Sequence, residues 1–553
     1  MDGSREQVIG ADRRDRQRRL RRSILVAVPL GFLGYFFVYP VASILGISLF
    51  GEAGFSFSAF SAVASRGSLR GAIWFTLWQA TASTILTLIV AMPAAYVFAR
   101  FSFPGKSFFR AAITVPFVLP TVVVGAAYLA MLGPNGPLGI DLRQTIWAIL
   151  IAHVFYNYAV VVRTVGGLWA HLDPRLEEAA RMLGAGRWRT FREVSLPLLR
   201  PAIAAAASIV FLFTFTSFGV VLILGGFEFS TIEVEIWRQT TAFLDLPVAG
   251  ALAVVQLLGI SSILVAYSRY QERRSTELQL RPVTEVARRP RGWREAGLVW
   301  GVLGFTGLFL GAPLAVLAGR SLRVGDGYGV DAYSSLGRAD SSLVPPAEAI
   351  GNSVLFAFGA TAIALIIGTM AAALIAYHRS AISRWFDVVL MLPLGTSAVT
   401  IGFGFLVALD TPIDLRTAPI LVPIAHALVA IPFVVRTEVP VMRSVRTRLR
   451  EAAGVLGAPP GRVWREIDLP LIFRSMLVGA GFAFAISLGE FGATSFIARP
   501  DAPTLPVAIF QLLGRAGAAN FSQAMALSTI LMGLTAVSIL SIERFRIGEM
   551  GEF

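Results

Sequence analysis

Few side chains in this sequence are of a type and spacing that could do chemistry. Its 553 residues contain no cysteine, which excludes disulfides, thiolate metal sites and a cysteine nucleophile. Only four histidines occur, with no carboxylate cluster beside them, so a resident metal is not expected. No nucleophile–base pair is evident. The nearest approach to a phosphate-binding loop, Gly105-Lys106-Ser107, carries Arg100 where that motif needs its first glycine, and it reads as an interfacial turn. Catalytic residues, cofactors and metals are all expected to be absent. What remains is Glu490, a carboxylate within the apolar run around Leu488-Gly489-Glu490-Phe491-Gly492. An ionisable group at such depth is costly and normally faces a cavity or a partner. It reads either as a contact for a cationic or hydrogen-bonding cargo or as a hydrogen bond between helices. His153 and His426 sit in equivalent mid-helix places and carry the same pair of readings, core histidine or cargo contact. With Ser217, the counterpart of Glu490, these are the candidate substrate-pathway residues.

The equivalence rests on an internal duplication. The 84 residues from His153 to Ile236 reappear without a gap, at a shift of 273, as His426 to Ile509. Each copy is centred on one signature: Glu178-Ala179-Ala180, Gly184 and Leu196-Pro197 in the first, Glu451-Ala452-Ala453, Gly457 and Leu469-Pro470 in the second. The copies also share Arg163-Thr164 with Arg436-Thr437, Phe218-Gly219 with Phe491-Gly492, and Thr231 with Thr504. Upstream, Pro116 and Gly125 align with Pro393 and Gly402 at a shift of 277. Asp173-Pro174 predicts a helix start, an N-cap oxygen followed by proline in the first turn. A short helix over 176–183 then ends at Gly184, suited to a left-handed residue. A second short helix around 188–194 leads to Leu196-Pro197. In the second copy Thr447 is the expected cap and Gly457 the stop.

The elements that hold these residues are membrane helices. The chain is 55% apolar and 15% charged, with a mean hydropathy of +0.69, too apolar for a soluble multidomain protein. Runs long enough to cross about 30 Å of hydrocarbon as helix are expected near 23–49, 72–99, 111–132, 144–162, 201–226, 247–268, 297–319, 352–378, 388–409, 417–435, 475–497 and 521–541. The fold class is therefore an all-α integral membrane protein, about twelve transmembrane helices in two six-helix repeats. The formal charge of +14 is not a nucleic-acid signal. Eight arginines lie between Arg5 and Arg22 and eight more between Arg269 and Arg294, on the side where the signature loops also fall. That is the positive-inside bias, and it predicts both termini in the cytoplasm.

The expected organisation is a basic cytoplasmic amino terminus (1–22), a first half (23–268), a polar cytoplasmic linker (269–295), a second half (296–542) and a cytoplasmic carboxyl terminus (543–553). An even number of spans per half gives both halves one orientation, a parallel repeat about the membrane normal.

A duplicated membrane unit with paired Glu-Ala-Ala…Gly…Leu-Pro loops resembles the permease subunits of binding-protein-dependent ABC importers, with both half-permeases fused. The strings 152–157, 231–236 and 487–496 resemble the ferric-iron and thiamine permeases of that superfamily most. The resemblance implies that Glu178, Ala179, Ala180 and Gly184, with Glu451, Ala452, Ala453 and Gly457, form two coupling loops that dock on an ATPase. It implies as partners two ATPase subunits, which supply the hydrolysis this chain cannot, and an extracytoplasmic binding protein, in a bacterial cytoplasmic membrane. Ferric iron or thiamine is the implied cargo; polyamine, sulfate or phosphonate are the alternatives within the class. An ion-gradient-driven transporter of twelve helices would share the span count. It would leave the paired signature loops unexplained.

Overall fold

The computed structural model describes residues 24–274 and 286–546, except 52–53, 135, 138, 325–326, 339–343, 378–385, 388, 394–395 and 412. The basic amino terminus, the middle of the linker, the last residues of the chain and part of the expected span 388–409 lie outside the described residues. Among the described residues, ten helices are long and apolar enough to cross a bilayer: Ile24–Leu49, Gly67–Arg100, Ile146–His171, Arg187–Phe215, Leu246–Gln271, Gly292–Ser321, Glu348–Tyr377, Leu421–Ser444, Gly461–Gly489 and Ala518–Ile542. An eleventh arises if the bent pair Lys106–Val118 and Thr121–Leu132 counts as one span. Among the described residues, strand content is confined to two short hairpins, Phe50–Gly51 with Gly54–Phe55 and Arg323–Val324 with Gly327–Tyr328.

Three stretches expected to be continuous are broken. The run 111–132 bends by 98° between Val118 and Thr121. Pro120 disfavours helix at the residue before it, and Leu119 is extended at φ −61°, ψ 140°. The run 201–226 stops at Phe215 and resumes as Gly219–Leu224. The run 475–497 stops at Gly489 and resumes as Thr494–Ile497. The last two breaks fall at duplicated positions, so the interruption belongs to the repeat.

Contacts gather the chain into two compact units, and the units cut across the sequence halves. One takes in the described residues up to Ile44 together with 351–499 and the end of the last helix from Ser541; the other takes in 45–350 and 500–540. Within the second unit, the helix Gly292–Ser321 opens the second half of the sequence yet packs on Thr121–Leu132 and Gly67–Arg100. The Tyr158 and Thr306 hydroxyls meet at 2.9 Å, and Phe309 meets Phe155 edge to face. Within the first unit, the turn Gly34–Val38 from the start of the chain packs on Leu421–Ser444. The opening helix of each half therefore serves the other half's core.

The duplicated glycines Gly125 and Gly402 show how tightly the broken regions close. A Cβ on Gly402 would lie 2.6 Å from the backbone of Ala493, whereas one on Gly125 would meet the movable side chain of Ile223 at 2.9 Å. Gly402→Ala is expected to destabilise the protein by about 1–3 kcal/mol and Gly125→Ala by less. Thermal unfolding in detergent checks the order; equal losses would show that the backbone contact is not limiting.

Candidate functional site

The two signature loops share one backbone. In the first, Asp173 caps the helix Pro174–Met182 by accepting from the Arg175 N–H at 3.0 Å, with Pro174 in the first turn. In the second, the helix is Thr447–Val455; Thr447 lies inside it rather than capping it, and no side chain caps its start. Both helices end alike. Gly184 has φ +86° and Gly457 φ +81°. The Gly184 N–H donates to Arg181 O and the Ala185 N–H to Ala180 O, both at 3.0 Å; Gly457 donates to Gly454 O at 3.0 Å and Ala458 to Ala453 O at 2.9 Å. This is the paired-bond stop that a left-handed glycine closes. Space around either glycine is open, so backbone conformation alone requires them.

The segment after each stop is not a separate short helix. Arg187–Phe215 and Gly461–Gly489 each run continuously into the membrane. A single wide turn, Phe191–Ser195 or Trp464–Asp468, stands just before Leu-Pro, with Leu196 N–H bonded to Phe191 O and Leu469 N–H to Trp464 O. A proline within a helix lacks an N–H and crowds the carbonyl four residues back. The widened turn absorbs Pro197 and Pro470 without ending the helix.

Neither signature helix buries a residue. Glu178, Ala179, Glu451 and Ala452 are exposed, and Ala180 and Ala453 half-buried. Large apolar side chains stand open at the tips: Met182 and Leu183 are each 89% exposed, Val455 88% and Leu456 87%. Sequence reasoning passed over this pair, although its shift of 273 and its place beside the glycine stops were there to be read. Large apolar side chains are thus exposed at two equivalent tips, one in each copy.

The intramembrane candidates fall into two clusters, one in each unit. In the unit containing the first signature loop, His153 is buried between two serines, with Nδ1 2.9 Å from Ser83 Oγ and Nε2 2.8 Å from Ser217 Oγ. Ser217 lies at the break after Phe215, and its carbonyl accepts from Thr231 Oγ1 at 2.9 Å. In the other unit, His426 Nδ1 is 2.7 Å from Ser487 Oγ, and its Nε2 is 2.7 Å from Thr494 Oγ1 and 3.1 Å from Glu490 Oε2. Glu490 does not lie inside a continuous span as expected. It sits in the break after Gly489, where Oε1 accepts the Ala493 N–H at 2.7 Å and Oε2 the Thr494 N–H at 3.0 Å, with Thr494 Oγ1 also in contact. Nor is it the sole buried carboxylate: Glu233 and Glu438 are fully buried, Glu438 within Leu421–Ser444 and bonded to Thr369 Oγ1 at 3.1 Å. The expected spans stopped short of both.

On the opposite side of the chain from the signature loops, a further duplicated feature appears. Asp141 and Arg143 form a two-pronged pair, and Asp414 and Arg416 repeat it at the same shift. The hydrogen bonds from each arginine hold each carboxyl below its ordinary range.

This duplicated architecture coincides with a known one. The family model for the binding-protein-dependent transport system inner membrane component matches twice, over residues 87–276 and 364–546. The chain belongs to that family. It is a fused ABC importer permease, each match enclosing one signature loop, and not itself an enzyme. Among curated relatives, the probable ABC transporter permease protein y4fN of Sinorhizobium fredii is 25% identical over 94% of this chain and 95% of its own length. The thiamine transport system permease protein ThiP of Brucella abortus is 28% identical over 85% of this chain and 86% of its own. The sulfate transport system permease protein CysT of Escherichia coli is 32% identical over 36% of this chain and 75% of its own.

In this permease the Glu490 carboxylate holds two backbone N–H groups that a broken helix leaves open. Gln in its place retains one accepting oxygen and turns an amide N–H₂ toward another donor. Glu490→Gln is therefore expected to lower stability by about 1–3 kcal/mol. Thermal unfolding checks this; wild-type stability would mean that the cap is dispensable.

Proposed function

We propose that this permease carries thiamine into the cytoplasm, receiving it from an extracytoplasmic binding protein, and that its two signature loops are coupling loops seated on two ATPase subunits. The observation that carries the docking reading is the pair of exposed tips, Met182-Leu183 and Val455-Leu456, each set on a helix with no buried face. A groove on a partner would take the apolar tip. Ala179-Ala180 and Ala452-Ala453 would allow close approach, and Glu178 and Glu451 would offer a charged contact. One chain supplies both loops, so a second permease chain is not needed. The membrane is a bacterial cytoplasmic one, and the arginine clusters favour both termini in the cytoplasm.

Of the cargoes expected from sequence, thiamine is the one that the long-matching relatives name. The histidine clusters enter this reading as walls of the pathway. Their polar atoms are already engaged with serine, threonine and glutamate, so His153, Ser217, His426 and Glu490 shape the helices past which cargo moves rather than ligating it.

Native mass measurement of the solubilised complex is expected to give one permease chain with two ATPase subunits; two permease chains would contradict the fused reading. Met182→Asp with Leu183→Asp is expected to weaken recovery of the ATPase with the permease. Gly184→Pro with Gly457→Pro is expected to leave the chain inserted while uptake of labelled thiamine fails. Proline cannot adopt the positive φ, so the helix stop is lost. Normal uptake by that double variant, or no thiamine uptake by the wild type, would overturn the corresponding part.

A further inference from the structure

Neither signature helix has a fully buried residue, so apolar packing gives it only a weak hold on its own span. What holds each signature helix to its own span is polar, and the two copies use inverted charges. In the first, Arg100 ends the span Gly67–Arg100 and is almost fully buried. Its Nη1 donates to Leu172 O at 3.0 Å and its Nη2 to Glu177 Oε1 at 2.7 Å; Ser195 Oγ reaches the same carboxylate oxygen at 2.8 Å. The contact thus joins the end of one span, the signature helix and the wide turn that leads into the next span. In the second copy the aligned residues are Tyr377, Arg450 and Asp468. Arg450 Nε donates to Asp468 Oδ1 at 2.7 Å, and the guanidinium lies 4.0 Å from the centre of the Tyr377 ring. The same three places are joined again: Tyr377 is the last described residue of Glu348–Tyr377, Arg450 lies on the signature helix, and Asp468 closes the wide turn Trp464–Asp468.

Arg–Glu–Ser has become Tyr–Arg–Asp. No single replacement among the three would be harmless. An arginine at 177 would face Arg100, and a glutamate at 450 would face Asp468, each leaving a poorly hydrated charge beside its like. Cation–π stacking on Tyr377 takes the place of the second charged arm. Two versions of one contact inside one chain, different at all three positions and each internally complementary, are what a maintained interaction leaves behind.

We propose that these triads are latches: positioning residues that make each signature helix move as one body with its span, so that the ATPase stroke reaches the membrane helices. The latches work as sets and not residue by residue. This inference rests on the docking reading above, and the test separates the two.

Because the natural chain has no cysteine, paired labels can be placed without background. Spin labels at Arg448→Cys, on the second signature helix, and Ile366→Cys, on the span that carries Tyr377, report the spread of distances between them. Arg450→Glu is expected to broaden that spread while the ATPase still copurifies. It should also raise ATP hydrolysed per labelled thiamine taken up by about tenfold, the scale of one lost hydrogen bond to a charged group. The triple variant Tyr377→Arg, Arg450→Glu, Asp468→Ser installs the first copy's set and is expected to restore both the narrow spread and the ratio. A narrow spread and unchanged ratio in Arg450→Glu would overturn the latch, as would a folded triple variant that stays broad. Loss of docking shows instead as failure of wild-type permease to recover the ATPase. If the wild type moves no thiamine, the cargo reading falls and the distance arm alone decides the latch.

Discussion

A helix that stops within hydrocarbon leaves backbone N–H and C=O groups with no water to satisfy them. This permease interrupts its membrane helices at duplicated positions, and much of its buried polar chemistry answers that constraint. At the break after Gly489, Glu490 takes up the Ala493 and Thr494 N–H groups, and His426 fixes the carboxylate from the side. At the break after Phe215, Thr231 reaches the Ser217 carbonyl, while Thr76 Oγ1 accepts the Ile232 N–H at 2.9 Å. His153 then ties Ser217 to Ser83 on a neighbouring span. Each of these histidine rings uses both nitrogens to tie a break to a neighbouring side chain.

The same constraint explains the asymmetry between Ser217 and Glu490. The first break is supported from outside itself, by Thr231 on a later segment. The second is supported within four residues by its own carboxylate. A charge is tolerable there because two N–H donors, a hydroxyl and an imidazole surround it, which is the condition for keeping a carboxylate out of water.

Much of this was legible in the sequence. The duplication located both signature loops, and Asp173-Pro174, Gly184 and Gly457 foretold a helix start and two stops, because capping and left-handed conformations are local properties. The spans were legible from apolar run length alone. What escaped was whatever depends on a partner distant in sequence. Hydropathy cannot see that 111–132 bends at Pro120, since both arms are equally apolar. Glu490 reads as a mid-span carboxylate until the break around it is visible. Leu196-Pro197 suggested a helix boundary, yet a wide turn carries the helix through. The first helix of each half gave only a poor repeat match, and that it packs on the other half's core needs three dimensions.

Duplication also shows which properties of the signature region are physically fixed. The backbone is fixed to the detail of two hydrogen bonds and a positive φ at each glycine. The apolar character of the tip is fixed while its residues change, Met-Leu against Val-Leu. The charge at the helix–span contact is free in sign and fixed only in being answered. A surface that meets a common partner has to keep its shape and polarity in both copies, whereas a contact internal to each copy need only complement itself. On the docking proposed above, the tips are of the first kind and the triads of the second. The boundary between what this permease presents outward and what it uses to hold itself together therefore runs through a single short helix, between Glu177 and Glu178 in one copy and between Arg450 and Glu451 in the other.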